Sequence, residues 1–537
     1  MTGGDGVTTD AAPSAAGQLA PRALRPVSRA LALAALCLLL FLTFLDNTVV
    51  SVALGQIQSE LHASVGGLQW VVDGYALVFA SVMLPAAAIG DEFGRKTVLL
   101  SGAAVFCAGS IVCGLATSVG WLLAGRVIMG FGAAGSEPGT LSMIRQLYPS
   151  RRARNRAVGV WAAVSGLALA LGPVLGGVLV ALGGWRSIFW FNLALGALAL
   201  LVGLRLLPES ADPDGHRVDA AGALLAAGAL ACAVFAVIIG ETDGYDSSQV
   251  LALFVVAAVT AVVFLIWERH AAHPLIDPAL FRLPVFITAN IAAFAVYFGA
   301  FALFFFTALY LDVVVGENGY QIALQFLPLT GGMVLAALVT GRLSSRTGPQ
   351  APVVGGCLLF GAGLVLTRIS LGPHPDYAPL AGSLLLAGVG LGAAVVSLTT
   401  AVLDVVPAER SGLAASATNT SRELGAVVGV AVLGAIVDAR LTGGLSAEIN
   451  RLGLGSFQQL ILSAVEHGGL PSNSQAAGVA GSAGGADSGL AQQVLNAAYS
   501  AFASGLRISL LLSAGLVLLA AGLAAVGMRP AGGRASR

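Results

Sequence analysis

Five ionisable side chains stand where the sequence is otherwise apolar. They are Asp46 in FLTFLDNTVVSVAL (residues 41–54), Arg126 in LAGRVIMGFGAA, Glu137 in GFGAAGSEPGT, and the neighbours Arg422 and Glu423 in NTSRELGAVVGV. An ion in hydrocarbon is costly, so such residues pair, line a polar cavity, or mark a path for protons and substrates. A carboxylate in a low-dielectric site can hold either protonation state near neutral pH. Proton-coupled transport requires such a group. Glu137 would in addition attract a cationic substrate. A glutamate hydrogen-bonded to backbone near Pro138 is the plainer alternative.

Depth brings two of these residues together. At about 1.5 Å per residue, Asp46 lies roughly 24 Å from one membrane surface, and Arg126, on a run of opposite direction, roughly 8 Å from the other. In a core about 30 Å thick the two depths nearly coincide. The spacing predicts an Asp46–Arg126 pair in which each charge lessens the other's desolvation cost. Such a pair can couple protons or be purely structural, and both readings stand at this point. Glu137 follows eleven residues after Arg126, within about 20° of the same helix face. Arg422 and Glu423, being adjacent, point about 100° apart and are not natural partners. With Asn419 they are candidates for a cavity in the second half of the chain.

Two further stretches carry spacing rather than charge. SGLALALGPVLGGVLV (165–180) holds Gly166, Gly172, Pro173, Gly176 and Gly177. Glycine lets helices approach closely, and proline removes a backbone donor and bends its helix. GDEFGRKTVLL (90–100) places Asp91, Gly94, Arg95 and Lys96 on a short loop. Its basic residues serve membrane topology, and Asp91 could cap or pair with a neighbouring helix and hold one state closed.

The elements that must position these residues are membrane helices. The chain of 537 residues is 57% hydrophobic and only 10% charged, far too little charge to cover a soluble protein of this length. The formal net charge is +0, so nothing points to nucleic acid as a partner. Apolar runs of about 20 residues, the length a bilayer demands, recur fourteen times. They are expected at 30–54, 68–89, 97–117, 121–142, 157–181, 187–207, 220–240, 249–268, 285–312, 321–342, 351–371, 379–401, 411–437 and 502–527. Run length and the lack of alternation favour helices over barrel strands. The five cysteines fall inside these runs with no metal-like spacing and read as small core residues.

Basic residues set the orientation. With the N-terminus inside, the inner segments hold Arg22, Arg25, Arg29, Arg95, Lys96, Arg145, Arg151, Arg152, Arg154 and Arg156, among others. The outer loops hold only Arg186, Arg368, Arg440 and Arg451. Both termini are therefore expected in the cytoplasm. Residues 1–29 read as a disordered cytoplasmic tail and 528–537 as a second tail. The segment 438–501, rich in Gly, Ser and Ala, reads as a long extracytoplasmic loop with short amphipathic pieces such as SFQQLILSAV.

The chain also repeats itself. LAGRVIMGFGAA resembles LAGVGLGAA (386–394), and each is followed by a proline and an arginine-bearing loop. GDEFGRK has a weaker echo in GRLSSRTG. The expected domains are a six-helix bundle at 30–207, a linker with two extra helices at 208–284, and a second six-helix bundle at 285–527. Internal repeats in such a chain suggest a transporter with its substrate site between the halves.

In their order, LDNTVVSVAL, GDEFGRK, GRVIMGFGAA, GPVLGG and GWRSIFWFN, with the later FLPLTGG and VPAERSGLAASATNTSRELG, resemble the fourteen-span drug:proton antiporters of the major facilitator superfamily. The resemblance covers about residues 30–437 and the last span. It implies an all-α integral membrane fold and a monomer in the plasma membrane. It further implies export of small amphipathic molecules, drugs or antibiotics in exchange for protons, with no cofactor beyond the proton gradient. Residue by residue, it assigns Asp46 and Arg126 to proton coupling. Asp91, Gly94, Arg95 and Lys96 fall on a gating loop. Gly172, Pro173, Gly176 and Gly177 fall on an antiporter motif that limits leak, and Arg422 on a recurrent arginine. Ala87, Glu92 and Met129 depart from the usual motifs. Glu137, Glu423 and Asp312 are extra acids, which suggest a preference for cations or an additional proton.

Other classes leave less of the sequence explained. There is no Walker A sequence for an ATP-driven pump and no metal-spaced histidine cluster for a membrane enzyme. A proton-independent or import-type facilitator of the same superfamily, or a transport-inactive membrane sensor, remains as the alternative function.

Overall fold

The structure is a computed structural model and describes residues 26–63, 65–209, 219–271, 274, 280–317, 319–372, 375–406, 411–451 and 486–528. Among these residues the chain is helical throughout. The helices are α1 (Pro26–Val49), α2 (Leu54–Leu61), α3 (Val65–Phe93), α4 (Arg95–Gly114), α5 (Val119–Leu147), α6 (Arg151–Gly183), α7 (Arg186–Leu206), α8 (Ala220–Asp243), α9 (Ser248–His270), α10 (Pro284–Tyr310), α11 (Gly319–Thr347), α12 (Gln350–Ser370), α13 (Tyr377–Val405), α14 (Ser411–Arg451) and α15 (Ala486–Gly527). All but α2 are long enough to cross a bilayer. Apolar windows of the required length lie on α1, α3–α5 and α7–α15. Helix α6 carries Arg151, Arg152, Arg154 and Arg156 in its first turns and no charge from 157 to 183.

Local chemistry sets the helix ends. Ser118 caps α5 by accepting from the Trp121 amide, and Ser150 caps α6 by accepting from the Ala153 amide. Asp219 and Ser247 do the same for α8 and α9. Pro284 opens α10, where its missing N–H costs nothing. Gly94 turns the chain between α3 and α4 with φ +108°, a conformation L side chains rarely adopt.

Three boundaries differ from the sequence expectation. The first apolar run does not remain one helix to residue 54. It passes through a 3-10 turn at Val50–Ala53 into α2. That short helix exposes Gln58, Ser59 and Glu60 and buries Ile57, so it suits a surface rather than a span. Helix α10 widens into a π turn at Leu311–Val315 that includes Asp312, whose side chain lies outside the described set. The 438–501 segment is helical at both ends. Helix α14 runs 41 residues to Arg451 and α15 starts at Ala486. At 1.5 Å per residue α14 is about 60 Å long, twice a bilayer core. The two extensions pack on each other through Leu441, Leu445, Ile449, Val494 and Ala498. That apolar stripe was masked by the Gly and Ser content of the segment. SFQQLILSAV lies outside the described residues.

Helices α1 and α3–α7 pack among themselves, as do α10–α15. Helices α8 and α9 pair, and α8 leans on α3 and α14. Helix α9 turns Leu251, Val255, Val259, Val262 and Ile266 outward, as a lipid-facing helix does. The main seam between the two groups is α6 against α11. There a Cβ on Gly341 would lie 2.4 Å from the Asn155 carbonyl oxygen, and one on Gly159 2.8 Å from that of Ala337. The backbones touch because neither residue has a side chain.

Candidate functional site

Asp46 and Arg126 meet. Both are buried, and Arg126 Nη1 donates to Asp46 Oδ2. The other carboxylate oxygen, Oδ1, accepts from Asn192 Nδ2 at 2.8 Å. Arg126 Nε donates to the Val71 carbonyl at 2.8 Å, and its guanidinium lies 4.5 Å from the Tyr75 ring centroid. Four helices, α1, α3, α5 and α7, thus converge on one ion pair. Such a pair is tolerable in a low-dielectric interior only when its spare donors and acceptors are also satisfied. Val71 and Asn192 do this here. Sequence reasoning found the pair but not its holders. Asn192 ends the FWFN stretch and is a lone amide in an apolar run, which is a usable signal. Tyr75 looks like any core aromatic.

A second polar cluster lies where the two helix groups face each other. Glu137 of α5 is buried, and Glu423 and Arg422 of α14 stand within its electrostatic reach. Arg422 donates to Asn419 Oδ1 at 3.0 Å and to Thr399 of α13. Its guanidinium lies 5.6 Å from the Trp161 ring of α6 and 5.5 Å from the Tyr297 ring of α10. Trp161 Nε1 donates to Thr140 at 3.0 Å, and Thr140 donates to the Glu137 carbonyl at 2.6 Å. Tyr75 is an electrostatic neighbour of both clusters. Trp161, Tyr297 and Thr399 carry no sequence signal, because only the tertiary fold turns them toward the charges.

The glycine stretch is divided in its contacts. A Cβ on Gly172 would fall 1.8 Å from Thr48 Oγ1, and one on Gly176 2.8 Å from the Val49 carbonyl, so α6 is pressed onto the end of α1. A Cβ on Gly166 would meet the Met333 sulfur of α11 at 2.4 Å, while one on Gly177 would meet nothing within 4 Å. The helix runs through Pro173, whose side chain lies outside the described set.

At the face where α1 begins, the near face, Arg95 Nε pairs with Asp91 Oδ1 at 2.7 Å across the Gly94 corner. Glu209 accepts from the Lys96 amide at 3.0 Å and the Thr97 hydroxyl at 2.6 Å, so it caps α4 from the segment after α7. Lys96 Nζ donates to the Leu204 carbonyl at 3.0 Å. The same face holds ties that sequence reading missed. Asp404, at the end of α13, pairs with Arg151 at 2.9 Å and with Arg154. Arg145 donates to the Val406 carbonyl at 2.6 Å. These arginines counted only toward topology in the sequence. Their partner sits about 250 residues away, so spacing could not reveal it. With α6 seated on α11, these ties join the two helix groups at the near face.

At the far face, Glu60 of α2 accepts from Arg186 at 2.7 Å and from Trp185 Nε1 at 2.9 Å. The Arg186 and Trp185 bonds hold the Glu60 carboxyl below the usual glutamate range. No group of three or more metal-ligating side chains occurs among the described residues.

Many membrane-crossing helices, an internal seam and buried charges on it define a multi-pass membrane transport protein. The chain belongs to the Major Facilitator Superfamily, whose sequence profile matches residues 36–430. It is therefore a carrier of small molecules across the membrane and not an enzyme. The multidrug resistance protein Stp of Mycobacterium tuberculosis is 34% identical over 412 residues, 77% of this chain and 76% of that protein. The methylenomycin A resistance protein of Bacillus subtilis is 35% identical over 404 residues, 74% and 85% of the two chains. The tetracenomycin C resistance and export protein of Streptomyces glaucescens is 31% identical over 485 residues, 89% and 88%. Among solved structures, the human organic anion transporter MFSD10 aligns with a TM-score of 0.58 at 16% identity, covering 93% of this chain and 100% of that one. A bacterial homologue of the human lysosomal transporter Spinster, inward-facing and unoccupied, aligns at 0.57 with 21% identity, covering 93% and 98%. At those identities the likeness bears on the fold alone.

Proposed function

We propose that this protein is a proton-coupled antiporter that exports small amphipathic molecules, drugs or antibiotics among them, across the plasma membrane by alternating access. The observation that carries the reading is the buried Asp46–Arg126 pair with its second carboxylate oxygen held by Asn192. Protonating Asp46 removes its charge and leaves Arg126 with the Val71 carbonyl and the Tyr75 ring. The tie between α1 and α5 then weakens at the moment a proton is bound. That is a direct route from protonation to helix movement. The names of the resistance and export relatives support drug-like cargo.

The arginine bias supports a cytoplasmic near face with both termini inside. On that reading the Asp404, Arg151 and Arg154 contacts seal the cytoplasmic end, and cargo would leave from the opposite face. The working unit is one chain, with two six-helix bundles and an inserted helix pair, driven by the proton gradient alone.

The test uses proteoliposomes with an imposed pH gradient and a panel of cationic, neutral and anionic drugs, with lumenal pH followed as each is added. A drug that moves protons with wild type and not with Asp46→Asn supports the reading. Undiminished proton-driven export by Asp46→Asn would overturn it.

A further inference from the structure

The cluster between the two helix groups leaves three buried polar atoms without a hydrogen-bond partner among the described residues: Glu137 Oε2, Arg422 Nε and Asn419 Nδ2. Buried polar groups are rarely left unpaired in folded proteins, since each one forgoes its hydration. The orientation of the Asn419 amide is settled by its oxygen, which accepts from Arg422. Its NH2 group is therefore the free end. The spare atoms are of opposite kinds on opposite sides. The acceptor belongs to α5, while the two donors belong to α14.

The charges are arranged in the same sense. Arg422 makes no ion pair among the described residues; its bonds go to the neutral side chains of Asn419 and Thr399. Glu137 and Glu423 are near enough to feel it without bonding to it. Trp161 and Tyr297 each present an aromatic ring within 5.6 Å of the guanidinium, one from each group.

We propose that this cluster recognises an amphoteric aromatic molecule. One edge presents a carboxylate, phenolate or carbonyl oxygen to Arg422 Nε and Asn419 Nδ2. The other presents an amine or cationic group to Glu137 Oε2, and the ring plane lies along Trp161 and Tyr297. A purely lipophilic cation satisfies Glu137 alone and meets Arg422 as a like charge. A simple anion satisfies Arg422 and meets two carboxylates. Only a molecule with both edges pairs all three atoms. It also bridges α5 and α14, so it contacts both helix groups. The inference rests on the reading that small molecules bind between those groups.

Three dyes of one ring system test it. Rhodamine 110 carries amine donors and a free carboxylate, rhodamine 123 has that carboxylate methylated, and fluorescein has oxygens in place of the amines. Equilibrium binding to the full chain in nanodiscs is read by fluorescence anisotropy. Rhodamine 110 is expected to bind at least tenfold more tightly than either of the others. Glu137→Gln should weaken both rhodamines at least tenfold and spare fluorescein. Arg422→Lys keeps the charge but removes the Nε donor, and should erase most of the preference for rhodamine 110 over rhodamine 123. Thermal unfolding checks that each variant is folded. Should Arg422→Lys not fold, the ranking on wild type and on Glu137→Gln decides alone. Equal affinity for the two rhodamines, a preference for fluorescein, or binding of none of the three overturns the proposal. The same dyes in proteoliposomes separate the two readings. Proton movement without this ranking leaves the antiporter standing and removes the amphoteric site, while the ranking without proton movement does the reverse.

Discussion

Asn192 Nδ2 holds the one oxygen of Asp46 that Arg126 does not, at 2.8 Å. The carboxylate is thereby pinned at both ends, to α5 through the arginine and to α7 through the amide. In a membrane interior a half-satisfied ion pair is worse than none, so the amide is part of the pair's design.

Replacing Asn192 should therefore act through Asp46. In Asn192→Ala the second carboxylate oxygen loses its donor. Proton-driven export should fall several-fold, though less than in Asp46→Asn, because the Arg126 contact remains. Export equal to wild type would show that the amide does not serve the pair.

Removing the arginine is the harsher change. Arg126→Ala leaves Asp46 buried beside the Asn192 amide only. Breaking one partner from a buried pair costs about 3–5 kcal/mol. Thermal unfolding in detergent should show a marked loss of stability, and Asp46→Asn combined with Arg126→Gln should recover part of it. A double variant no more stable than the worse single one would contradict this account.

The near-face ties should set the balance of states. Asp404 accepts from both Arg151 and Arg154, so Asp404→Asn loosens α13 from α6 in one step. The buried Asn155 lies on the same seam. With the native cysteines replaced, Asn155→Cys should react with a membrane-impermeant maleimide several-fold faster in the Asp404→Asn background. Equal labelling rates would show that the tie does not hold the face shut.

Two neighbouring glycines should respond differently to the same change. Gly172→Ala puts its Cβ against Thr48 side-chain and backbone atoms, whereas Gly177→Ala enters open space. Overpacking of this kind costs roughly 1–3 kcal/mol. A lowered unfolding temperature and raised proton leak are expected for Gly172→Ala and neither for Gly177→Ala.

The far-face clasp carries a pH signature. The Glu60 carboxyl is held below its ordinary value of 4.5 by Arg186 and Trp185. A depressed carboxyl pKa stabilises the folded state above the unfolded pKa, and that contribution is lost as pH falls through the lower folded value. Acid titration should show a tryptophan fluorescence step below about pH 4.5 in wild type that is missing in Glu60→Gln.

The sequence by itself determined the number of membrane-length helices and the meeting of Asp46 with Arg126. Length against bilayer thickness and charge against hydrocarbon are one-dimensional constraints, and both can be read along a chain. It also marked Glu137, Arg422 and Glu423 as anomalies, because an ion in an apolar run stands out whatever surrounds it. Helix α14 was harder to bound, since Gly and Ser concealed an apolar stripe that shows only when α15 lies against it. What only the tertiary structure decided is which neutral groups serve the charges. Asn192, Tyr75, Trp161, Tyr297 and Thr399 are ordinary residues in ordinary runs. Their roles arise because helices distant in sequence are rotated to put those faces inward. Asp404 makes the same point at the near face: its arginines were visible, but a pairing about 250 residues apart is settled by packing and leaves no trace in local spacing.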